Sequence, residues 1–354
     1  MSAQGLRVAV LMGGGSGERA VSLASGSQVT RALRARGHSV LMVDTARGIL
    51  SPEDEAHLLA ELEIGGPARS GVDPGDLLAT GGVLRMAREL RAAGTDIIFP
   101  ALHGGAGEDG TLQTLLELAQ VPFAGSDRVG CTLSMDKEIS KRLFREAGIP
   151  TPEWLMAPQE PEAVIRALGL PLIVKPARGG STLGLTLVHR AEEIQEAVEE
   201  AQKWEPRVMF EGYIQGREVT VGILGDRALP VGEIIPTHEI FDYECKYKPG
   251  LAEEIFPAQL ELAQVALLQE MALAIHRTLH LKGFSRIDFI LDEEGVPWCL
   301  EANALPGLTS SSLFPQAALA AGMDLGEVVE AVILGALGRN PAPAPGLNPL
   351  RLSS

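Results

Sequence analysis

Short apolar runs alternate with helix-periodic stretches along the first third of the chain. Arg7–Met12 is apolar and stops at Gly13-Gly14-Gly15, residues from about 18 to 36 carry apolar positions every three or four, and Gly37 closes that pattern. His38–Asp44 and Asp96–Pro100 are two further apolar runs of strand length. Strand, helix and strand in this order, with strands apolar on both faces, predict parallel βαβ units joined right-handedly. Between Arg47 and Leu78 the pattern weakens, and Gly65-Gly66-Pro67 and Asp73-Pro74-Gly75 mark turns, so a surface excursion is expected there.

A helical stretch from about Met135 to Ala147 ends at Gly148-Ile149-Pro150, after which the rhythm changes. Strands are expected at Leu172–Lys175, Leu185–Val188 and Arg207–Glu211, with a helix over Glu192–Lys203. A glycine-rich loop, Pro176–Gly184, joins the first two strands, and strand–loop–strand is a hairpin rather than the strand–loop–helix of a P-loop. Further on come strands at Glu218–Leu224 and Pro230–Ile235, and a polar aromatic loop at Phe241–Pro249. A long helix over Gln259–Leu281 and a hairpin of Ser285–Leu291 with Val296–Asn303 follow. The chain of 354 residues suits several domains, divided as 1–128, 129–215 and 216–340, with a proline-rich flexible tail at 341–354.

Charge narrows the function. Asp and Glu number 46 against 30 Lys and Arg, and the net charge of −16 disfavours nucleic acid and anionic membrane as partners. Three cysteines, Cys131, Cys245 and Cys299, are widely spaced and fit neither a disulfide framework nor a zinc site. The N-terminus leads into only a short apolar run, so a cytoplasmic protein is expected. Among the basic residues only seven are lysines, which makes the place of each one informative.

Several short motifs carry candidate chemistry. Gly15-Ser16-Gly17-Glu18-Arg19-Ala20 fits G-x-G-x-x-A after a strand, and Asp44 ends the next strand where a ribose-binding acid would stand, so a nicotinamide dehydrogenase is one reading and a plain tight turn another. His103 follows the third strand at its carboxyl end, a position open to ligands, whereas Asp109 reads as a cap for a helix from Thr111. Lys175 ends an apolar strand, where a lone ammonium is costly without an anion, and the loop Gly179-Gly180-Ser181-Thr182-Leu183-Gly184 offers backbone N–H groups to phosphate. Lys137 is a second phosphate candidate on a helix. In the last hairpin Arg286 and Asp288 share one face, as do Glu301 and Asn303, and pairing Asp288 with residue 299 or 301 gathers all four. Two carboxylates and an amide are hard oxygen donors of the kind Mg²⁺ takes, while an Arg286–Asp288 salt bridge is the purely structural alternative.

GGGSGERAVS, HGGAGEDG, KPARGGSTLG, DYECKY, GFSRIDF and EANALPGLTSSSL occur in this order along nearly the whole chain. Together they resemble the D-alanine–D-alanine ligases of the ATP-grasp superfamily. The resemblance implies an N-terminal parallel α/β domain and two α+β domains that clamp ATP. It also implies ATP-dependent joining of two D-alanine molecules through a D-alanyl phosphate, for peptidoglycan precursor synthesis, with two Mg²⁺ (or Mn²⁺) ions and a homodimer. By resemblance, Lys137, Lys175, Ser181 and Lys246 attend the phosphates. The nucleotide base and ribose meet Glu211, Tyr213, Ile214, Glu218 and Phe241. Asp288, Glu301 and Asn303 are the metal ligands. Glu18, with His103 nearby, receives the first substrate's ammonium, Arg286 and Gly307 the oxyanion, and Ser312 and Leu313 the second carboxylate. Tyr247 stands at the tip of the Phe241–Pro249 lid in a hydrogen-bonded chain with Ser181 and Glu18, which argues for an amine acceptor. A D-alanine–D-lactate-type ligase and a non-catalytic nucleotide-binding regulator are the other readings on this fold.

Overall fold

The computed structural model describes residues 5–63, 82–180, 182–241, 245 and 250–339. The first region runs β1 (Arg7–Met12), α1 (Arg19–Ala35), β2 (Ser39–Asp44), β3 (Gly48–Ile49), α2 (Pro52–Glu63), α3 (Gly82–Ala92), β4 (Ile97–Pro100) and α4 (Thr111–Leu118). Its sheet has the order β3-β2-β1-β4, with β1 parallel to both β2 and β4, as the apolar strands and intervening helices imply. Gly26 lets α1 lie directly on β1, for a Cβ there would come within 2.6 Å of Met12 Cβ. The first half of the Arg47–Leu78 excursion is a two-residue edge strand and a helix, β3 and α2, and its remainder from residue 64 lies outside the described residues.

Next come α5 (Arg128–Met135), α6 (Lys137–Glu146), β5 (Trp154–Met156), α7 (Pro161–Leu168), β6 (Leu172–Pro176), β7 (Thr186–Val188), α8 (Ile194–Gln202) and β8 (Val208–Gly212). The single helix expected from Met135 is thus two helices. Asp136 adopts an extended conformation between them, and its side chain accepts from Ile139 N at 3.2 Å, capping α6. Asp127 caps α5 in the same way through Val129 N and Gly130 N. The second sheet, β5-β8-β6-β7, is antiparallel, and β6 and β7 form the hairpin around the glycine-rich loop.

The third region holds β9 (Arg217–Leu224), β10 (Arg227–Ala228), β11 (Gly232–Pro236), β12 (Ala252–Ile255), α9 (Leu262–Thr278), β13 (Phe284–Leu291), β14 (Pro297–Asn303), α10 (Leu313–Ala320) and α11 (Leu325–Ala336). Its antiparallel sheet has the order β12-β11-β9-β13-β14, with β10 added to β9. Helices α5, α6 and α9 contribute Cys131, Phe144 and Leu268 to the core beneath this sheet. Its other end is fastened to the N-terminal sheet. Phe284 of β13 stacks on Phe99 of β4 at 6.0 Å and meets Phe314 of α10 edge-on at 5.6 Å, inside a core shared with Val10, Met42 and Val329.

Phe284 is 1% exposed, and truncating it opens a cavity where the first and third regions meet. Phe284→Ala is expected to cost ~3–5 kcal/mol in urea unfolding. A midpoint close to wild type would mean that the two regions are joined elsewhere.

Candidate active site

A cleft of ≈ 370 Å³ opens between the second and third sheets. Lys137, Lys175, Glu211, Tyr213, Ile214, Glu218, Phe241, Arg286, Asp288, Glu301 and Leu313 all line it, as do Gly179 and Gly180 of the glycine-rich loop. Ser181, Lys246 and Tyr247 lie outside the described residues.

Strand pairing builds the acidic wall. Asp288 lies directly opposite Glu301, and Arg286 opposite Asn303, which is the second of the two expected registers. The register then slips, so that Phe289 faces Cys299 and Leu300 is the extra residue of a bulge. Cys299 is thereby fully buried while Leu300 and Glu301 both line the cleft. Asp288 is surrounded by donors. Thr220 Oγ1 donates to Oδ1 at 2.7 Å and Arg286 Nε at 2.9 Å; Arg286 Nη2 and Asn303 Nδ2 donate to Oδ2 at 2.8 and 3.0 Å. The salt bridge read as a structural alternative is therefore present, as part of the acidic cluster rather than in place of it. Burial opposes the Arg286 charge, but Asp288 beside it, and then Glu301 and Glu108, hold its pKa above the ordinary arginine value.

Lys137 Nζ lies 3.2 Å from Glu301 Oε2 and donates to Gly179 O at 2.7 Å, joining the glycine-rich loop to the acidic strand. Lys175 finds its anion inside the protein. Its Nζ is 2.5 Å from Glu211 Oε1, while Lys141, which sequence reasoning passed over, approaches Oε2 at 2.6 Å. Glu211, expected only as a backbone contact to the base, thus also carries a buried carboxylate between two ammonium groups. The available signal for Lys141 was its spacing of one helical turn from Lys137 in a chain with so few lysines.

The N-terminal motifs converge at the other end. Glu18 Oε2 is so near the turn at Gly104 that a Cβ there would stand 2.6 Å away, and a Cβ at Gly180 would stand 3.4 Å away, so this carboxylate sits between two glycine turns. His103 is buried with both ring nitrogens engaged: Nδ1 donates to Leu305 O at 3.2 Å, and Nε2 accepts from Ser25 Oγ at 3.0 Å. Burial lowers its pKa. It ties the end of β4 to the segment after β14, and so supports the site through neighbours. Gly307 and Ser312 share a tight turn; a Cβ on Gly307 would come within 2.6 Å of Ser312 Oγ, which also bonds Thr309 Oγ1 at 2.8 Å. Asp109 Oδ1 accepts from Thr111 N, the first helical N–H of α4, at 2.9 Å, but the N-cap itself is Gly110 and Asp109 stands one residue before it.

The dehydrogenase reading fails at Asp44. Arg19 donates to both of its oxygens, Nη1 to Oδ1 at 2.9 Å and Nη2 to Oδ2 at 2.5 Å, and the carboxylate is 2% exposed. Gly13 and Gly14, both at φ +84°, wrap the turn around this pair, and a Cβ on Gly13 would strike it at 2.5 Å. A carboxylate so enclosed has no free face for a ribose hydroxyl.

A glycine-rich hairpin, two lysines and a paired acidic hairpin thus gather around one cleft. The family model described as "D-ala D-ala ligase N-terminus" matches residues 7–126, and "D-ala D-ala ligase C-terminus" matches residues 143–334. The D-alanine--D-alanine ligase of Aquifex aeolicus is 39% identical over 329 residues, 93% of this chain and 100% of its own. That of Syntrophotalea carbinolica is 36% identical over 330 residues, 93% and 96% of the two chains. Among solved structures, VanG D-Ala:D-Ser ligase from Enterococcus faecalis superposes with a TM-score of 0.77 at 29% identity, covering 94% of this chain and 99% of its own. D-alanine--D-alanine ligase from Bacillus anthracis complexed with ATP gives 0.73 at 27% identity, over 94% and 98%. The chain belongs to the D-alanine–D-alanine ligase family.

Glu108 is a titrating group inside this site. Its Oε2 accepts from Gly104 N at 3.0 Å, yet burial first, and then the charge of Glu18, push its pKa from 4.5 up to about 7. The folded state keeps a proton that the unfolded chain releases, so stability falls as pH rises from the lower value through the higher. Relative to Glu108→Gln, which preserves the acceptor, wild type is expected to lose stability between about pH 5 and pH 8. Parallel denaturation midpoints for the two proteins across that range would overturn the assignment.

Proposed function

We propose that this chain joins two D-alanine molecules into D-alanyl-D-alanine, with ATP converted to ADP and phosphate. The observation that carries this reading is the single cleft that brings Lys137, Lys175, Arg286, Asp288 and Glu301 together beneath the glycine-rich hairpin. A carboxylate oxygen of the first D-alanine attacks the γ-phosphorus, ADP departs, and a D-alanyl phosphate results. The amine of the second D-alanine then attacks the acyl carbon, loses a proton, and expels phosphate. Such chemistry needs position and neutralised charge more than a covalent group of the enzyme.

The residues fit these tasks. Lys137 and Lys175 stand by the loop that would cover the phosphates, and Tyr213, Ile214, Glu218 and Phe241, which line the same cleft, would meet base and ribose. Glu18, between Gly104 and Gly180, would receive the first substrate's ammonium, with His103 holding the surrounding turn. Arg286 and the Gly307 backbone would face the oxyanion, and Ser312 with Leu313, at the start of α10, the second carboxylate. Ser181, Lys246 and Tyr247 keep the phosphate and lid roles that resemblance implies. Two Mg²⁺ ions, or Mn²⁺, suit the donor set of Asp288, Glu301 and Asn303: Asn303 gives its amide N–H to Asp288, which leaves its carbonyl oxygen as a donor atom beside two carboxylates. Bound there, such ions would supply positive charge to the phosphate oxygens.

The domain division proposed is 1–128, 129–215 and 216–340, and the working form a cytoplasmic homodimer. No helix among the described residues is long and apolar enough to cross a membrane. The D-lactate and non-catalytic alternatives are not favoured by the curated relatives, which carry the name D-alanine--D-alanine ligase.

Phosphate release from ATP and Mg²⁺ should depend on D-alanine, and the product should be the dipeptide rather than a D-serine or D-lactate adduct when all three are offered. Release without any D-alanine dependence would sink this reading. Glu301→Gln, nearly unchanged in volume, is expected to leave the melting temperature close to wild type and slow turnover by about 10²-fold or more. A normal rate at ordinary Mg²⁺ would show that Glu301 is no ligand.

A further inference from the structure

Lys141 sits behind the wall of the cleft, not in it. Its side chain is fully buried, and its ammonium donates to Thr151 Oγ1 at 2.7 Å and to Pro152 O at 2.9 Å. It meets Glu211 Oε2 at 2.6 Å as an ion pair off the hydrogen-bonding direction, and lies 5.3 Å from the centre of the Trp154 ring. The polar chain extends both ways. Thr151 Oγ1 donates to Cys299 O at 2.8 Å, on the strand that carries Glu301, while Glu211 reaches Lys175. Ile173 pairs with Glu211 and Lys175 with Met209, so Lys175 and Glu211 are diagonal neighbours on one face of the second sheet.

Stability alone does not account for this arrangement. Three charges removed from water are commonly no more stable than apolar groups of the same size. Burial lowers the Lys141 pKa against the pull of Glu211; burial would raise that of Glu211, but Lys141 and Lys175 together hold it below the ordinary carboxylate range. Two cations share one anion. Without Lys141, Glu211 would pair wholly with Lys175, and the positive charge facing the cleft would be cancelled.

Building on the nucleotide reading above, we propose that Lys141 is a positioning residue for ATP: it neutralises Glu211 from behind, so that Lys175 keeps a net positive charge and a fixed place for a phosphate group. The same bridge, through Thr151, holds the phosphate-binding sheet to the acidic strand at Cys299.

Lys141→Met and the double variant Lys141→Met with Glu211→Gln separate this role from simple support, because the second removes the anion along with its partner and returns the cluster to the wild-type charge. Binding of a non-hydrolysable ATP analogue is measured by titration calorimetry, and KM is measured for each substrate. In Lys141→Met, analogue affinity is expected to fall and KM for ATP to rise about tenfold, the worth of one charge-assisted contact, with KM for D-alanine within about twofold. The double variant is expected to recover to within about threefold of wild type. Wild-type binding in folded Lys141→Met, an equal rise in both KM values, or a double variant as weak as the single one overturns the proposal. Should Lys141→Met not fold, the double variant decides alone: near-wild-type affinity supports the charge balance, and a tenfold loss or a failure to fold overturns it. Wild-type turnover is followed in parallel. Its absence would count against the ligase reading, while analogue binding still tests Lys141.

Discussion

Negative charge held beside negative charge is the constraint around which this molecule is built. The antiparallel pairing of β13 and β14 sets Asp288 directly opposite Glu301, so that like charges meet across the two strands. Arg286, Thr220 and Asn303 converge on Asp288, and Lys137 on Glu301. Because Lys137 comes from α6 and also holds Gly179, neutralising the acidic strand draws the glycine-rich hairpin over the cleft. Through Lys137 the glycine-rich loop of the second sheet is joined to the acidic strand of the third across the cleft.

A second charge cluster braces the same cleft from the far side. Lys141, Glu211 and Lys175 join the start of β8's exit to the body of α6, and Thr151 carries the connection to β14. The salt bridges of Asp136 with Arg178 and Arg207 fasten the base of the glycine-rich loop to the cap of α6. Lys137, Lys175 and Arg286 line this cleft and Lys141 stands behind it, so a net charge of −16 coexists with a local group of cations.

The N-terminal region meets the glycine-rich loop at Gly180. Glu18 at the start of α1 reaches between Gly104 and Gly180, and His103 bonds Leu305, so two motifs far apart in sequence close on the residues that follow β14. Phe284, packed between Phe99 and Phe314, holds that approach from within the core. Glu108 is left ionising near neutrality because it is enclosed by this closure and faced by Glu18.

Periodicity and punctuation in the sequence by themselves determined most strands and helices, the parallel pairing of β1 with β2 and β4 though not the antiparallel edge strand β3, the hairpin around the glycine-rich loop and the shared face of Asp288, Glu301 and Asn303. These follow from local geometry: alternation by two in strands, 3.6 in helices, and glycine where the chain must turn. Motif order along the chain carried the family. The split of one expected helix at Asp136 escaped because a capping aspartate within a continuous helical pattern is locally ambiguous. The bulge at Leu300, the enclosure of Asp44 by Arg19, and the partnership of Lys141 with Glu211 were decided only by tertiary structure. Each depends on which groups share a desolvated space, and a buried charge is defined by partners that lie dozens of residues away.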